Sequence, residues 1–191
     1  MMRALMITAP NHAEVREVPA PVAAAGEVVV DVERAGVCGT DVEFYTGEMA
    51  YLHQGHAAFP MSIGHEWMGT VASVGPGVDP AWIGHRVTGD TMLGCGDCRR
   101  CRSGHQHVCA DRQEVGIRGG RSGALAEQLA VPVTSLHRLP DDLDPAIGAM
   151  VDACTWAAGE GGCDIDVDVT EKFRGYQVET DSRPVEVASQ A

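Results

Sequence analysis

Four closely spaced cysteines constrain the fold of this chain more than any other feature of its sequence. They follow the pattern C-x2-C-x2-C-x7-C and are Cys95, Cys98, Cys101 and Cys109. Four thiolates can surround one zinc ion tetrahedrally, and they leave no coordination position open. Disulfide pairing is the alternative, but gaps of two residues between successive cysteines make it difficult without strain. Residues 94–109 are therefore predicted to form a closed structural zinc site that folds a loop and does no chemistry.

The length and the charge of the chain limit the classes of protein to which it can belong. The chain has 191 residues, of which 45% are hydrophobic, and a formal charge of -13. This length allows one large domain or two small ones with a buried core. The acidic balance would repel phosphate backbones, which disfavours a zinc module that binds nucleic acid. The apolar run at the start ends at Pro10 and is too short for a signal or a membrane span, so we expect a soluble, cytoplasmic protein with no membrane partner.

Short apolar or alternating runs separated by Gly, Pro and Asp clusters predict a mainly β domain. These runs cover residues 3–7, 27–33, 68–74, 86–88 and 125–131. Short strands at irregular spacing, with long loops between them, suit a small closed or partly open barrel better than a βαβ series. Helical spacing after Asp144-Pro145 predicts a C-terminal helix of about four turns that ends near residue 158. The acidic stretch 159–191 is expected to be a partly disordered tail.

A second group of candidate metal ligands lies upstream of the cysteines. Cys38, His65 and Glu66 occur in the segments A-G-V-C-G-T-D and G-H-E-W-M-G. A thiolate, an imidazole and a carboxylate form a mixed set that can hold zinc with one position open. Taken singly, they are better interpreted as a buried core thiol, a hydrogen-bonded loop histidine and a surface acid. Their joint occurrence beside the four cysteines favours a second metal site.

Three motifs now stand in a fixed order along the chain. They are the C-G-T-D segment at Cys38, the G-H-E-x-x-G-x5-G signature that begins at Gly64, and the four-cysteine pattern. Together they resemble the zinc-dependent alcohol dehydrogenases of the medium-chain dehydrogenase/reductase superfamily. The match covers residues 1–158, which correspond to the family's GroES-like catalytic domain. The resemblance therefore implies a partly open β-barrel with a zinc lobe, and it is strongest to the polyol, threonine and glucose dehydrogenase branches.

The resemblance also implies a catalytic zinc held by Cys38, His65 and Glu66. In several relatives a Glu of a Glu-Pro pair reaches the same metal. Asp152 occupies that position here and is one methylene shorter, so it is a further candidate. A zinc ion in such a site polarises the alcohol oxygen, while NAD or NADP accepts the hydride.

The residues around Cys38 match a proton path of the same family. Thr40 matches the hydroxyl that passes the alcohol proton outward. Asp41 is expected to orient a neighbouring metal ligand. Many relatives have a histidine five residues after the zinc cysteine, and this chain has Glu43 there, as in the glucose dehydrogenase branch.

The resemblance also implies a cofactor domain, which we do not expect these 191 residues to supply. Its Gly-x-Gly-x-x-Gly turn is absent, and the residues after 158 are too few for a parallel sheet with helices on both faces. Two hypotheses stay open. One is the truncated catalytic domain of an enzyme that oxidises a secondary alcohol, polyol or sugar, with a partner that supplies the nucleotide-binding domain. The other is a non-catalytic zinc-binding module with the same fold.

Overall fold

The computed structural model of the protein describes residues 1–140. The strands are β1 Met2–Ala9, β2 His12–Val18, β3 Glu27–Gly36, β4 Met61–Ser62, β5 Glu66–Val74, β6 Arg86–Gly89, β7 Met92–Leu93, β8 Gln113–Glu114, β9 Gln128–Pro132 and β10 Leu136–Arg138. The α-helices are α1 Gly39–Thr46, α2 Ala50–His53 and α3 Arg99–Arg102, and 3₁₀ helices cover Pro80–Trp82, Gln106–Val108 and Val133–Ser135. The predicted C-terminal helix, the predicted boundary at residue 158 and the acidic stretch lie outside the described residues.

The strands form three antiparallel sheets. A five-stranded sheet has the order β10-β6-β5-β3-β9, a three-stranded sheet has the order β2-β1-β4, and β7 pairs with β8. A bridge between Ala4 and Ala126 joins β1 to the segment that leads into β9. Within residues 1–140 the sheets do not close into a complete barrel. The prediction of a mainly β, partly open architecture is confirmed.

The core has two parts, and the larger one comes mainly from the five-stranded sheet. Its buried members are Val28, Val30, Trp67, Val71, Val78, Val87, Leu93, Val115, Ala124, Leu129 and Val131. The smaller part contains Ile7, Phe44, Ile63 and Ile117. Phe44 is fully buried and anchors α1 against β1. Burying a side chain of this size contributes about 2–3 kcal/mol, which fixes a helix that would be too short to persist alone.

Close contact between β3 and β5 explains one glycine of the G-H-E signature. Gly69 lies opposite Val32 in this antiparallel pair. A Cβ atom at Gly69 would lie 2.1 Å from the carbonyl oxygen of Asp31, so no larger residue fits without moving a strand. The glycine therefore lets β5 approach β3 closely, and that pairing fixes the position of the residues at the start of β5. Among residues 1–140, no helix has the length and apolar character needed to cross a membrane.

Candidate metal centres

The four cysteines of residues 94–109, here called the cysteine lobe, converge on one point. The lobe lies between β7 and β8 and contains α3 and a 3₁₀ helix. The Sγ atoms of Cys95 and Cys101 are 3.9 Å apart, and those of Cys98 and Cys109 are 3.8 Å apart. All four ligand atoms lie within 4.8 Å of one another. These separations are far above the roughly 2.05 Å of a disulfide bond, so the thiols are grouped but not bonded.

The lobe's geometry fits a tetrahedral zinc ion. Zn–S bonds of about 2.3 Å at tetrahedral angles place neighbouring sulfurs about 3.8 Å apart. The two measured separations agree with this value. Backbone N–H groups of Cys98 and Cys101 also point at the sulfurs of Cys95 and Cys98, at 3.3 and 3.5 Å. Such N–H groups stabilise thiolates, which are the form that binds the metal.

The thiols of the lobe differ in acidity. Hydrogen bonds from the backbone N–H groups of Asp97 and Cys98 lower the pKa of Cys95 to about 7. Desolvation, together with hydrogen bonds to the neighbouring thiols, raises the pKa of Cys101 to about 12. Four thiolates so close together repel one another, and a divalent cation is the group that offsets this repulsion. The donor set and its electrostatics therefore both suit zinc.

A second, separate group forms where the end of β3 meets the start of β5. The Sγ atom of Cys38 and Nε2 of His65 are 3.0 Å apart, although the residues are 27 positions apart in the chain. Among the described residues, Cys38, Asp41 and His65 have ligand atoms that all lie within 4.8 Å of one another. We call this group the open site. Its thiol and imidazole are a donor pair that zinc accepts, and two ligands leave positions for others.

Asp41 holds the two halves of the open site together. Its side chain is 2% exposed. The backbone N–H of Cys38 donates to Oδ2 at 2.9 Å, and the N–H of Gly64 donates to Oδ1 at 3.2 Å. Oδ1 also lies 3.8 Å from Nδ1 of His65, a buried nitrogen that has no hydrogen-bond partner among the described residues. The carboxylate thus fixes the backbone of both ligand loops and lies on the Nδ1 side of the imidazole, away from Cys38.

Local backbone geometry presents these side chains. Cys38 is the N-cap of α1, so its side chain stands at the start of the helix, and Asp41 lies in the first turn. Gly64 has a φ of 97°, which glycine adopts readily, and a Cβ there would lie 2.7 Å from the backbone nitrogen of Leu125. This glycine turns the chain so that His65 faces Cys38. The hydroxyl of Thr91 donates to the carbonyl oxygen of His65 at 3.2 Å and holds the other side of the turn.

The other residues predicted for the open site lie further along α1, at the start of β5 or outside the described residues. Thr40 is half-buried in the first turn of α1, and Glu43 is exposed one turn later. Glu66 is exposed at the start of β5 opposite Gly36, and it is not part of the group that contains Cys38 and His65. Its role as a ligand stays a prediction. Asp152 lies outside the described residues.

Sequence reasoning did not find the contact from Thr91 or the second backbone bond of Asp41. Thr91 lies 26 positions from His65, and Gly64 lies 23 positions from Asp41. A lone threonine near a strand carries no pattern that points to such a contact. Only the pairing of β3 with β5 and the fold of the following loops bring these groups together.

Comparison with known proteins agrees with this arrangement. The model of the alcohol dehydrogenase GroES-like domain family matches residues 24–141. An L-threonine 3-dehydrogenase from Sinorhizobium medicae is 37% identical over 153 residues, which are 80% of this chain and 43% of that protein. The chain spans about two fifths of the length of the curated relatives it matches.

Solved structures share the fold. A short chain alcohol dehydrogenase from Escherichia coli CFT073, complexed with NADH, superposes with a TM-score of 0.74 at 32% identity, covering 84% of this chain and 45% of that one. A galactitol-1-phosphate dehydrogenase from Escherichia coli superposes with a TM-score of 0.72 at 27% identity, covering 85% of this chain and 46% of that one. The chain belongs to the alcohol dehydrogenase GroES-like domain family of the medium-chain dehydrogenase/reductase superfamily.

Proposed function

We propose that this domain binds two zinc ions and serves the oxidation of a secondary alcohol by hydride transfer to NAD or NADP. The observation that carries the proposal is the 3.0 Å approach of the Cys38 thiol to the His65 imidazole, at a site distinct from the cysteine lobe. A closed four-sulfur site alone would be structural. A second, mixed site with few ligands is what a catalytic metal requires.

The open site would hold its zinc through Cys38 and His65, with Glu66 and Asp152 as the proposed further ligands. A zinc ion bound there supplies a Lewis acid for the alcohol oxygen. Asp41 positions both ligands, because each of its oxygens accepts a backbone N–H next to one of them. Its negative charge also favours a positively polarised imidazole at the metal.

Thr40 and Glu43 would move the alcohol proton. Thr40 follows Cys38 by two residues in the first turn of α1, and Glu43 lies three residues further along the same helix. Residues three apart on a helix lie on one face, with Cβ atoms about 5–6 Å apart. The Thr40 hydroxyl would accept the alcohol proton on the site's side while it releases its own proton toward the Glu43 carboxylate, which is exposed to solvent.

The hydride acceptor is not assigned to residues of this chain. The printed sequence has no Gly-x-Gly-x-x-Gly motif, and residues 1–140 contain no parallel βαβ unit that would place a pyrophosphate at a helix N-terminus. A nucleotide-binding domain supplied by a partner is part of the proposal.

The substrate class follows from the relatives. L-threonine 3-dehydrogenases and a galactitol-1-phosphate dehydrogenase are among the proteins that this chain resembles. By their names, both kinds act on small hydroxylated molecules. We propose that the substrate is a small secondary alcohol, with a hydroxy amino acid, a polyol or a sugar as the compounds to test first.

The test is a titration of the purified chain with NADH and NADPH, followed by nicotinamide fluorescence. Saturable binding, together with cofactor reduction that depends on L-threonine or a polyol, would support the dehydrogenase. The Cys38→Ser variant is the control, and it should lose reduction but keep any cofactor binding. Flat titrations with both cofactors would show only that the chain alone holds no nucleotide. Elemental analysis then decides, because a chain with no zinc in the open site would refute the dehydrogenase and favour the zinc-binding module.

A further inference from the structure

Arg112 connects the cysteine lobe to the helix that follows α1. It follows the lobe in the chain, and its guanidinium donates three hydrogen bonds to three different residues. One donates to the carbonyl oxygen of Cys109 at 3.3 Å. Another donates to Oε1 of Glu114 at 2.6 Å, and a third donates to the hydroxyl oxygen of Tyr51 at 3.0 Å. Cys109 is a predicted zinc ligand, whereas Tyr51 belongs to α2.

Burial makes this network costly to break. Glu114 is 3% exposed, so its charge requires a partner inside the protein. Arg112 supplies that partner, and the hydroxyl of Tyr51 adds a longer bond of 3.4 Å to the same carboxylate. The guanidinium of Arg118 covers the ring of Tyr51 at 5.7 Å from its centroid. The side chain of Tyr51 is therefore held by three polar groups that follow the lobe in the chain, and by an edge contact with the ring of His56.

The position of Tyr51 is in turn tied to α1. The backbone N–H groups of Glu48 and Met49 donate to the carbonyl oxygen of Glu43, at 2.9 and 3.1 Å. Met49 and Tyr51 also pack against the small core cluster that contains Phe44. Contacts thus run without a gap from a cysteine of the lobe to the helix that begins at Cys38.

We propose that Arg112 is a positioning residue through which zinc binding in the cysteine lobe fixes α2 and the end of α1. This inference rests on the proposed function only in requiring that the lobe holds zinc. Closing four sulfurs on the metal fixes the backbone of Cys109, and its carbonyl oxygen holds one side of the guanidinium. The opposite side of the guanidinium then holds the hydroxyl of Tyr51. Coupling between two sites is reciprocal in free energy, so contact with Tyr51 must also strengthen zinc binding in the lobe. Because mutational changes in affinity appear mostly in the dissociation rate, the same contact should slow the loss of zinc.

The rate of zinc release to a coloured chelator tests this coupling. The full chain is used with Cys38→Ser present throughout, so that only the lobe supplies the metal. Arg112→Gln and Tyr51→Phe should each speed release about tenfold. The double variant should release zinc no faster than Arg112→Gln alone, because both changes break one connection. Tyr51→Phe removes only a hydroxyl group, so it keeps the test valid if Arg112→Gln fails to fold.

Arg100→Gln provides the matched control. Arg100 is an arginine of the lobe that donates to the carbonyl oxygen of Val108 at 2.6 Å. Its effect on release should add independently to that of Tyr51→Phe. Hydrogen exchange gives a second readout, since Tyr51→Phe and Arg112→Gln should speed exchange in residues 48–58 of the zinc-loaded chain, and Arg100→Gln should not.

Two results would overturn the inference. One is wild-type zinc release in both Tyr51→Phe and Arg112→Gln, and the other is full additivity of their effects. A different result would refute the proposed function, namely that the chain with its natural Cys38 binds only one zinc ion. The release experiment would still report on the lobe in that case.

Discussion

The two candidate metal centres differ in how the chain brings their ligands together. All four ligands of the cysteine lobe come from residues 94–109, whereas the open site joins Cys38 and His65 across 27 positions. Turns of a few residues build the lobe. The open site needs β3, β5 and the buried carboxylate of Asp41 to be in place first. The closed site can thus form from one short segment of chain, whereas the open site forms only when the strands around it are folded.

The two regions also differ in what stabilises them. Within residues 94–109, Cys109 alone is buried, so the lobe has no apolar core of its own. The open site is close in sequence to Phe44, Trp67 and Met68, which are all almost fully buried. Metal binding should therefore contribute to folding in the lobe and only to chemistry in the open site. We therefore expect the loss of a ligand from the cysteine lobe to reduce stability more than the loss of a ligand from the open site.

Cys98→Ser should give the largest effect, because it removes a ligand from the lobe. We expect the loss of about one zinc ion per chain and of about 4 kcal/mol or more of unfolding free energy. This corresponds to a decrease of about 10 °C in Tm. Elemental analysis and thermal unfolding by circular dichroism measure the two quantities. Cys163→Ser, at a cysteine that neither predicted site uses, is the control and should change neither.

Cys38→Ser should also remove about one zinc ion, but with a much smaller effect on folding. Cys38 caps a helix that Phe44 already anchors in the core. We expect a change in Tm of less than about 3 °C, measured beside Cys98→Ser under the same conditions. Equal destabilisation by the two variants would show that the comparison between the centres is wrong.

The sequence predicted the parts of the fold that have a buried face. β3 and β5 each contain three consecutive buried residues, at positions 28–30 and 67–69, and the sequence predicts both strands. β2 was missed because it is an exposed edge strand, in which Val15 is 65% exposed and no apolar side is buried. α1 was missed because its sequence, GTDVEFYT, contains few good helix formers, and only Asp41 and Phe44 are buried. Contacts with the rest of the fold, and not the local sequence, therefore determine the structure of β2 and α1.

The cysteine lobe and the open site also differ in how far the sequence predicts them. The spacing of the four cysteines predicts the lobe from one short segment, since neighbouring turns bring the thiols together. The grouping of Cys38 with His65 was expected only from the resemblance to a family. The bond from Arg112 to Tyr51 joins residues 61 positions apart, and no local pattern encodes such a contact.

Asp41→Asn should produce an intermediate effect that is centred on the open site. The two carboxylate oxygens accept N–H groups from Cys38 and Gly64, and an amide can accept only one of them. Leaving a buried N–H without an acceptor costs about 1–3 kcal/mol. The affinity of the open site for zinc should fall about 10- to 100-fold, measured by competition with a chelator.

Asp31→Asn is the control for this prediction. Asp31 accepts a bond from Gln128 at the surface, so its change should stay within about 0.5 kcal/mol. The release rate from the cysteine lobe should be unchanged in Asp41→Asn. Loss of metal from both centres together would show that Asp41 supports the cysteine lobe as well as the open site.

The smallest effect is expected far from both centres, at the surface pair of Arg3 and Glu127. The backbone N–H of Arg3 donates to Oε2 of Glu127 at 2.8 Å, and the guanidinium donates to Oε1 at 2.8 Å. These bonds, the backbone one first, lower the pKa of Glu127. The pair therefore stabilises the fold above the ordinary pKa of a glutamate, and this contribution is lost as the pH falls through the lowered pKa.

Arg3→Gln should raise the pKa of Glu127 only in part, because the backbone N–H remains. Carbon-13 NMR of the side-chain carboxyl measures this change, and Glu127→Gln identifies the resonance by removing it. Zinc content should equal that of the wild-type chain, since neither side chain of this pair belongs to either group of candidate metal ligands among the described residues. If Arg3→Gln altered metal binding, charge at the surface would influence the centres, and the effects of Asp41→Asn could no longer be assigned to two buried hydrogen bonds.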